Sequence, residues 1–350
     1  MVGAGCRDVL LTGGAGYIGA HCAALLASEG YRVTVFDNLE RGYRQAIQRA
    51  SMVSGKPIEL IVGDVRDMES LRGAFAQGDF HAVVHLAALK SVEESIQEPE
   101  RYQHTNVMGT ENLCAAMEEF GVFRLVFSSS AAVYGDCGSD LATESTPLRP
   151  LSPYGQSKVD AEERIERFVS RTGAAAVSLR YFNPVGAHPS ASLGECSDGP
   201  TNLIPVVMDV VLGNRRSLDV FGRDYPTRDG TCIRDYIHIM DLVVAHRSAL
   251  DHTTHMDGAK AYNVGTGRGS SVLEVVDRAR EVTQRVVPTR DAARRDGDPV
   301  MLVADVSRIE ADLGWVATQD LKSMIRSEWA WRRAWPDGYA SSRETSAAPR

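Results

Sequence analysis

Three glycines, Gly13, Gly16 and Gly19, stand directly behind the apolar run 9–12 and open an amphipathic stretch, and this feature limits the chain's possible folds more than any other. A turn that tight between a strand and a helix needs residues without side chains. Gly13 and Gly16 let the backbone bend and approach a pyrophosphate, whose charge a helix N-terminus favours, while Gly19 lets helix and strand pack closely. The next apolar run, 32–36, ends in Asp37, 24 residues after Gly13. A carboxylate there accepts hydrogen bonds from an adenosine ribose and repels a 2′-phosphate. The turn and the acid together predict a dinucleotide site preferring NAD to NADP, with Arg41 as the one neighbour that would favour the opposite choice.

Short apolar runs at 59–62, 81–86, 124–128 and 176–180 continue the alternation with longer amphipathic segments, the first of them a helix over 17–28. That rhythm predicts an α/β fold, a Rossmann-type doubly wound parallel sheet with helices on both faces. Between about 186 and 233 the text becomes rich in Gly, Pro, Asp and Asn around one helical stretch, 203–212, as suits a smaller, discontinuous substrate lobe. A strand and helix over 236–250 and a strand over 261–265 bring the chain back. The expected division is therefore 7–185 plus 234–266 for the dinucleotide domain and 186–233 plus 267–338 for the substrate lobe, with 341–350 a disordered tail.

Charge and cysteine usage narrow the function classes. With 38 Lys+Arg against 46 Asp+Glu the net charge is −8, which supplies no basic field for nucleic acid. No apolar run reaches membrane-spanning length. The six cysteines form no CxxC and no zinc spacing, so reduced thiols and no metal are expected. The first residues resemble no signal peptide, and a cytoplasmic location is expected.

Lysine occurs at only five positions, and Lys158 falls four residues after Tyr154 in Ser152-Pro-Tyr-Gly-Gln-Ser-Lys158. Ser152 as N-cap and Pro153 as first helical residue would put both side chains one turn apart on one face. A phenol is a poor base, and bringing its pKa from about 10 to near 7 takes roughly 4 kcal/mol, which one ammonium at about 4 Å can supply. The run Ser128-Ser129-Ser130 ends a strand at the edge where open α/β sheets bind ligands, and Ser130 is the candidate facing Tyr154. The plain alternative is a surface tyrosine with a solvated lysine and a polar strand end.

The segments TGGAGYIG (12–19), SSSAAVYG (128–135), SPYGQSK (152–158), RYFNPVGAH (180–188) and IRDYIH (233–238) resemble the extended short-chain dehydrogenase/reductase family and, within it, the UDP-glucose 4-epimerases. The similarity runs over roughly 7–340. It implies Ser130, Tyr154 and Lys158 as the catalytic set. For NAD it implies Gly13, Gly16, Tyr17, Ile18 and Gly19 in the turn, Asp37 and Asn38 after the second strand, and Asp64 and Val65 after the third. Leu86, Ala87, Lys90 and Asn106 follow on the fourth-strand side, and Tyr181 joins Tyr154 and Lys158. For a UDP-sugar it implies Lys90, Ser130, Tyr154, Asn183, Asn202, Leu203, Phe221, Arg234, Arg295, Asp298 and Leu302. Two arginines suit a diphosphate, since guanidinium forks grip it two bonds at a time.

The activity implied is inversion at C4 of a UDP-hexose through a 4-keto intermediate. Rivals are a UDP-uronate or UDP-pentose 4-epimerase, a nucleotide-sugar 4,6-dehydratase, and a catalytically silent NAD-binding regulator. A dehydratase needs a carboxylate beside the catalytic hydroxyl, where this chain has Ala131 and Ala132; a silent regulator predicts a broken set, whereas all three residues are present. The resemblance also implies a homodimer and, with Leu302 of intermediate size at a pocket-wall position, a preference for plain hexoses over N-acetylated ones.

Overall fold

The structure, a computed structural model, describes residues 7–138, 140–196, 201–295 and 297–339; the 341–350 tail and Cys6 lie outside the described residues. In chain order the strands are β1 (Asp8–Thr12), β2 (Arg32–Asp37), β3 (Glu59–Val62), β4 (Ala82–His85), β5 (Arg124–Ser128), β6 (Ala175–Tyr181) and β7 (Asn183–Val185). They continue as β8 (Leu218–Phe221), β9 (Ile233–His238), β10 (Gly258–Val264), β11 (Gly269–Ser271), β12 (Thr289–Ala292) and β13 (Met301–Leu302).

Seven of them form one sheet in the order β10-β6-β5-β4-β1-β2-β3, parallel throughout, as the alternating sequence text predicts. The two-residue period of a strand sorts the core. Val9 and Leu11 face the helices Tyr17–Ser28 and Ile239–His252, whereas Leu10 faces the helices Gly109–Glu119 and Pro153–Thr172 with Phe36, Val83 and Phe127. Strands buried on both faces account for the near-continuous apolar runs. After β3 the chain crosses to the far side of β1 to lay down β4, so the carboxyl ends of β1 and β4 form a topological switch point, where sheets of this kind hold ligands.

The remaining strands form small sheets, β11-β9-β13 with β7 on β9, and β8 with β12. They pack with the helices Leu203–Leu212, Val272–Thr283 and Leu321–Ala334 around Val207, Val276 and Ile325. β9 opens at Ile233 rather than near 236 and pairs inside the small sheet, while the helix that follows it returns to the main core. Ile309 and Trp315 also pack into that core. β10 starts three residues before the apolar run because Gly258, Ala259 and Lys260 extend the parallel ladder on β6. Backbone pairing, not hydrophobicity, sets that end.

Candidate active site

The helix carrying Tyr154 starts as its sequence dictates. The Ser152 hydroxyl accepts the Gly155 N–H at 3.1 Å, and Pro153 takes the first turn, where no donor is missed. Tyr154 and Lys158 then share one buried face. The Lys158 ammonium donates to the Ser128 carbonyl at 2.9 Å, so β5's last residue anchors it. Burial pulls Lys158 down to about 7, with Glu162 opposing. For Tyr154 burial pushes the phenol up, while a hydrogen bond from Ser130 and the charge of Lys90 pull it back. Lys90 is thus a second cation near the phenol, beside Lys158 one helical turn away. Burial weakens the full point charge that the sequence alone puts on Lys158, while the Ser128 carbonyl, as acceptor, favours the ammonium form.

A cavity of about 540 Å³ opens at the switch point. Gly13, at φ 71°, lies so close to the loop after β4 that a Cβ would sit 2.4 Å from the Ala87 nitrogen, which only glycine permits. Gly16 heads the helix Tyr17–Ser28 with no side chain capping it, and Gly16, Tyr17, Ile18 and Gly19 line the cavity. The Tyr17 hydroxyl donates to the Gly186 carbonyl at 2.5 Å.

Asp37 and Asn38 line the same wall. Asp37 accepts the amides of Ala15 (2.9 Å) and Leu39 (2.8 Å); burial raises its pKa, and those bonds counter the rise. Asn38 donates to Asp64 at 2.8 Å, and hydrogen bonding from Arg66 holds Asp64 down to about 2. Arg41 is paired with Glu94 at 2.7 Å, which takes up the cation that left the NADP option open. Val65, Leu86, Ala87, Lys90 and Tyr181 complete the expected set on the wall. Asn106 is not among them. Its buried amide holds the Leu89 amide (2.8 Å) and carbonyl (3.0 Å) and reaches Ser157 at 2.9 Å, so it ties the loop after β4 to the Tyr154 helix instead of facing the cavity.

The residues expected around a nucleotide sugar are more scattered. Asn202 lines the cavity and precedes the helix Leu203–Leu212, whose Leu203 packs on the small lobe's core. Ser130 caps the short turn Ala131–Val133, accepting the Ala132 amide at 3.2 Å. Asn183 opens β7 opposite Tyr236. Arg234 on β9 donates to the Pro299 carbonyl at 2.9 Å and lies 3.4 Å from Asp298. Beside it in register, Leu302 packs on the cluster that contains Ala131, Val133 and Phe182. Arg295 stacks 3.9 Å over the Phe221 ring. None of Ser130, Asn183, Leu203, Phe221, Arg234, Arg295, Asp298 and Leu302 belongs to the cavity wall.

Two site residues escaped the sequence reading. Glu195 is buried at the wall and pairs with Lys90 at 2.8 Å across 105 positions of chain, a link no local pattern announces. Glu162, four residues beyond Lys158, follows the same helical spacing and could have been found by extending it. Among the described residues no group of His, Cys, Asp or Glu could hold a metal, no helix is long and apolar enough to cross a membrane, and Cys22, Cys114, Cys137, Cys196 and Cys232 are free.

A parallel sheet with a glycine turn at its switch point, an acid ending β2, and a serine, tyrosine and lysine gathered at the strands' carboxyl ends define a dinucleotide-binding α/β protein of the short-chain dehydrogenase/reductase class. The family model described as GDP-mannose 4,6 dehydratase matches residues 10–328. A Bacillus subtilis (strain 168) protein named UDP-glucose 4-epimerase is 44% identical over 336 residues, 95% of this chain and 99% of that protein. The UDP-glucose 4-epimerase of Stenotrophomonas maltophila, solved with NAD and a formylated UDP-arabinopyranose, superposes with a TM-score of 0.92 at 39% identity, over 94% of this chain and 99% of that one. That of Bifidobacterium longum, solved with NAD+ and UDP, gives 0.91 at 39% identity, over 95% and 100%. The chain belongs to the family of the UDP-glucose 4-epimerases.

Proposed function

We propose that this chain inverts C4 of the hexose of a UDP-sugar, interconverting UDP-glucose and UDP-galactose, with NAD held in the switch-point cavity. The observation that carries the reading is the buried Tyr154, beside Ser130 and Lys158, in a cavity whose wall also holds the glycine turn and Asp37. The cradle fits NAD: at Gly13 a Cβ would strike backbone, the helix headed by Gly16 offers its amide end, and Asp37 suits a ribose diol. Asp64 and the Glu94 carboxylate on Arg41 disfavour a 2′-phosphate.

NAD bound there supplies a hydride acceptor at C4 that is restored within each turnover. The chain's own residues manage the proton and the geometry. Tyr154 takes the C4 hydroxyl proton and later returns it, and Ser130 hydrogen-bonds that same oxygen. Lys158, tethered to the Ser128 carbonyl, keeps positive charge near the phenolate, and Lys90 adds to it. Arg234 and Arg295 grip the diphosphate while the hexose is held loosely, so that the 4-keto ring can turn and present its other face. Asn183, Asn202, Leu203, Phe221 and Asp298 surround the nucleotide in this reading, and Leu302 borders the rotation space.

A 4,6-dehydratase is disfavoured because the turn after Ser130 carries Ala131 and Ala132, which have no carboxyl group. The expected division, 7–185 plus 234–266 for NAD and 186–233 plus 267–338 for the UDP-sugar, is the working one except that β9 goes with the small sheet, and assembly as a cytoplasmic homodimer completes the reading. The purified protein, incubated with UDP-galactose and no added NAD, should form UDP-glucose. Full recovery of UDP-galactose, also after NAD is supplied, would refute the assignment.

A further inference from the structure

The serine run at the end of β5 meets one helix at three points. Ser128 holds Lys158 through its carbonyl, Ser130 faces the Tyr154 phenol, and between them the Ser129 hydroxyl donates to Glu162. Tyr154, Lys158 and Glu162 follow one another at four-residue spacing, all buried. Arg180, on β6, grips Glu162 with two prongs, Nε at 3.0 Å from Oε1 and a terminal nitrogen at 2.5 Å from Oε2. Arg180 also donates to the Tyr134 hydroxyl at 3.2 Å, which in turn donates to Asn263 on β10 at 2.6 Å. A buried ion pair is seldom worth keeping for stability alone, because desolvation offsets its attraction.

We propose that Glu162 is a positioning residue for the reaction, fixing the serine run against the Tyr154 helix and presenting a carboxylate one turn from Lys158. The inference rests on the roles given above to Tyr154 and Lys158. The titratable groups around Lys158 come from several elements. Glu162 comes from its own helix, His85 from β4, His246 from behind Ser128, and Tyr181 from β6, with the Phe127 ring 4.8 Å away. Burial holds His85 down to about 3 and His246 to about 4, so both are neutral at pH 7. Among the described residues Glu162 is the one carboxylate acting on Lys158, and it works against the burial that pulls the ammonium down. Without it Lys158 would lose its proton at lower pH, and a reaction that needs the ammonium would fail on the alkaline side first.

The test uses protein labelled at lysine Cε with carbon-13, where five lysines give five resonances and Lys158→Arg identifies the one of interest. In Glu162→Gln the Lys158 titration midpoint should fall by about one pH unit or more. The alkaline limb of kcat should move the same way, with KM for UDP-galactose within about twofold, and Glu162→Asp should restore most of both. An unmoved midpoint in folded Glu162→Gln, or a kcat reduced equally at every pH, overturns the charge role. Should Glu162→Gln not fold, the Glu162→Gln/Arg180→Met pair is compared with Arg180→Met, so that the arginine charge is absent from both; a midpoint no lower in the pair overturns the charge role. Ser129→Ala should lower kcat at every pH without moving the midpoint; an unchanged kcat would overturn the loop-fixing role. The resonance is read without substrate, so a midpoint that shifts as expected in a protein inert toward UDP-galactose faults the proposed reaction and leaves the role of Glu162 standing.

Discussion

The wall around Asp37 and the cluster around Arg234 are built by different means. At the wall, glycines, backbone amides and short side chains at the ends of β1, β2 and β4 shape a concave surface, and the polar groups that matter are fixed by main chain, as Asp37 is by Ala15 and Leu39. Around β9 the candidate residues are long and engage other protein groups, Arg234 on the Pro299 carbonyl and Asp298, and Arg295 on the Phe221 ring. A backbone cradle is preorganised and loses little on binding, whereas arginines must exchange protein partners for ligand. Substitutions at the wall should therefore act through shape and chemistry, and those in the β9 region through grip.

The largest expected effect tests whether the chemistry belongs to the wall. Tyr154→Phe should keep NAD and UDP binding but lower kcat at least about 10²-fold, the usual worth of a general base. Near-normal turnover would remove Tyr154 from that role.

Acid should next distinguish the halves. His21, His85 and His246 all pack within the large-sheet half, and burial lowers them to about 4, 3 and 4. Neutral in the native state and protonated when unfolded, they contribute full stability above about pH 6.5 and lose it as pH falls toward their native values. Each lowers unfolding free energy by up to about 1.4 kcal/mol per pH unit in that window. Burial also raises Asp235 to about 6 and Glu328 to about 7, which opposes this decline over the same range, so the check is the NMR titration of the three imidazoles, where midpoints near 6.5 would mean that these histidines are hydrated.

Arg234→Lys and Arg295→Lys should each raise KM for UDP-galactose by about tenfold despite keeping the charge, because the two-pronged geometry is lost. An unaltered KM in both would place the diphosphate elsewhere. Asp37→Ala should cost several-fold in NAD retention and narrow the preference against NADP; unchanged cofactor content after purification would count against the ribose contact. The smallest effect concerns Leu302. Leu302→Ala should raise, and Leu302→Tyr suppress, the rate with UDP-N-acetylglucosamine relative to UDP-glucose. A ratio of kcat/KM that moves less than about twofold in both means that Leu302 only packs on Ala131 and Phe182.

Much of this molecule was legible as text because its information is local. The glycine turn, the Ser152–Pro153 helix start and the alternation of strand and helix depend on residues a few positions apart, and each appears in the structure where the spacing put it. The Asp37 carboxylate needed only the end of β2 to be recognised. The pairing of Arg41 with Glu94, the tie of Asn106 to Leu89 and Ser157, and the transfer of β9 to the small sheet were not readable, since each joins elements far apart in the chain.

The sequence by itself determined which side chains can do acid–base work and which turn can approach a dinucleotide, because residue type and helical or strand period suffice for both. Only the tertiary structure decided how charged those side chains are. Lys158 drops to about 7 because the fold buries it against Ser128, and the charge of Lys90, held by Glu195 105 positions on, acts on the Tyr154 phenol. Burial and long-range partners set an ionisation state, and neither exists until the chain has folded.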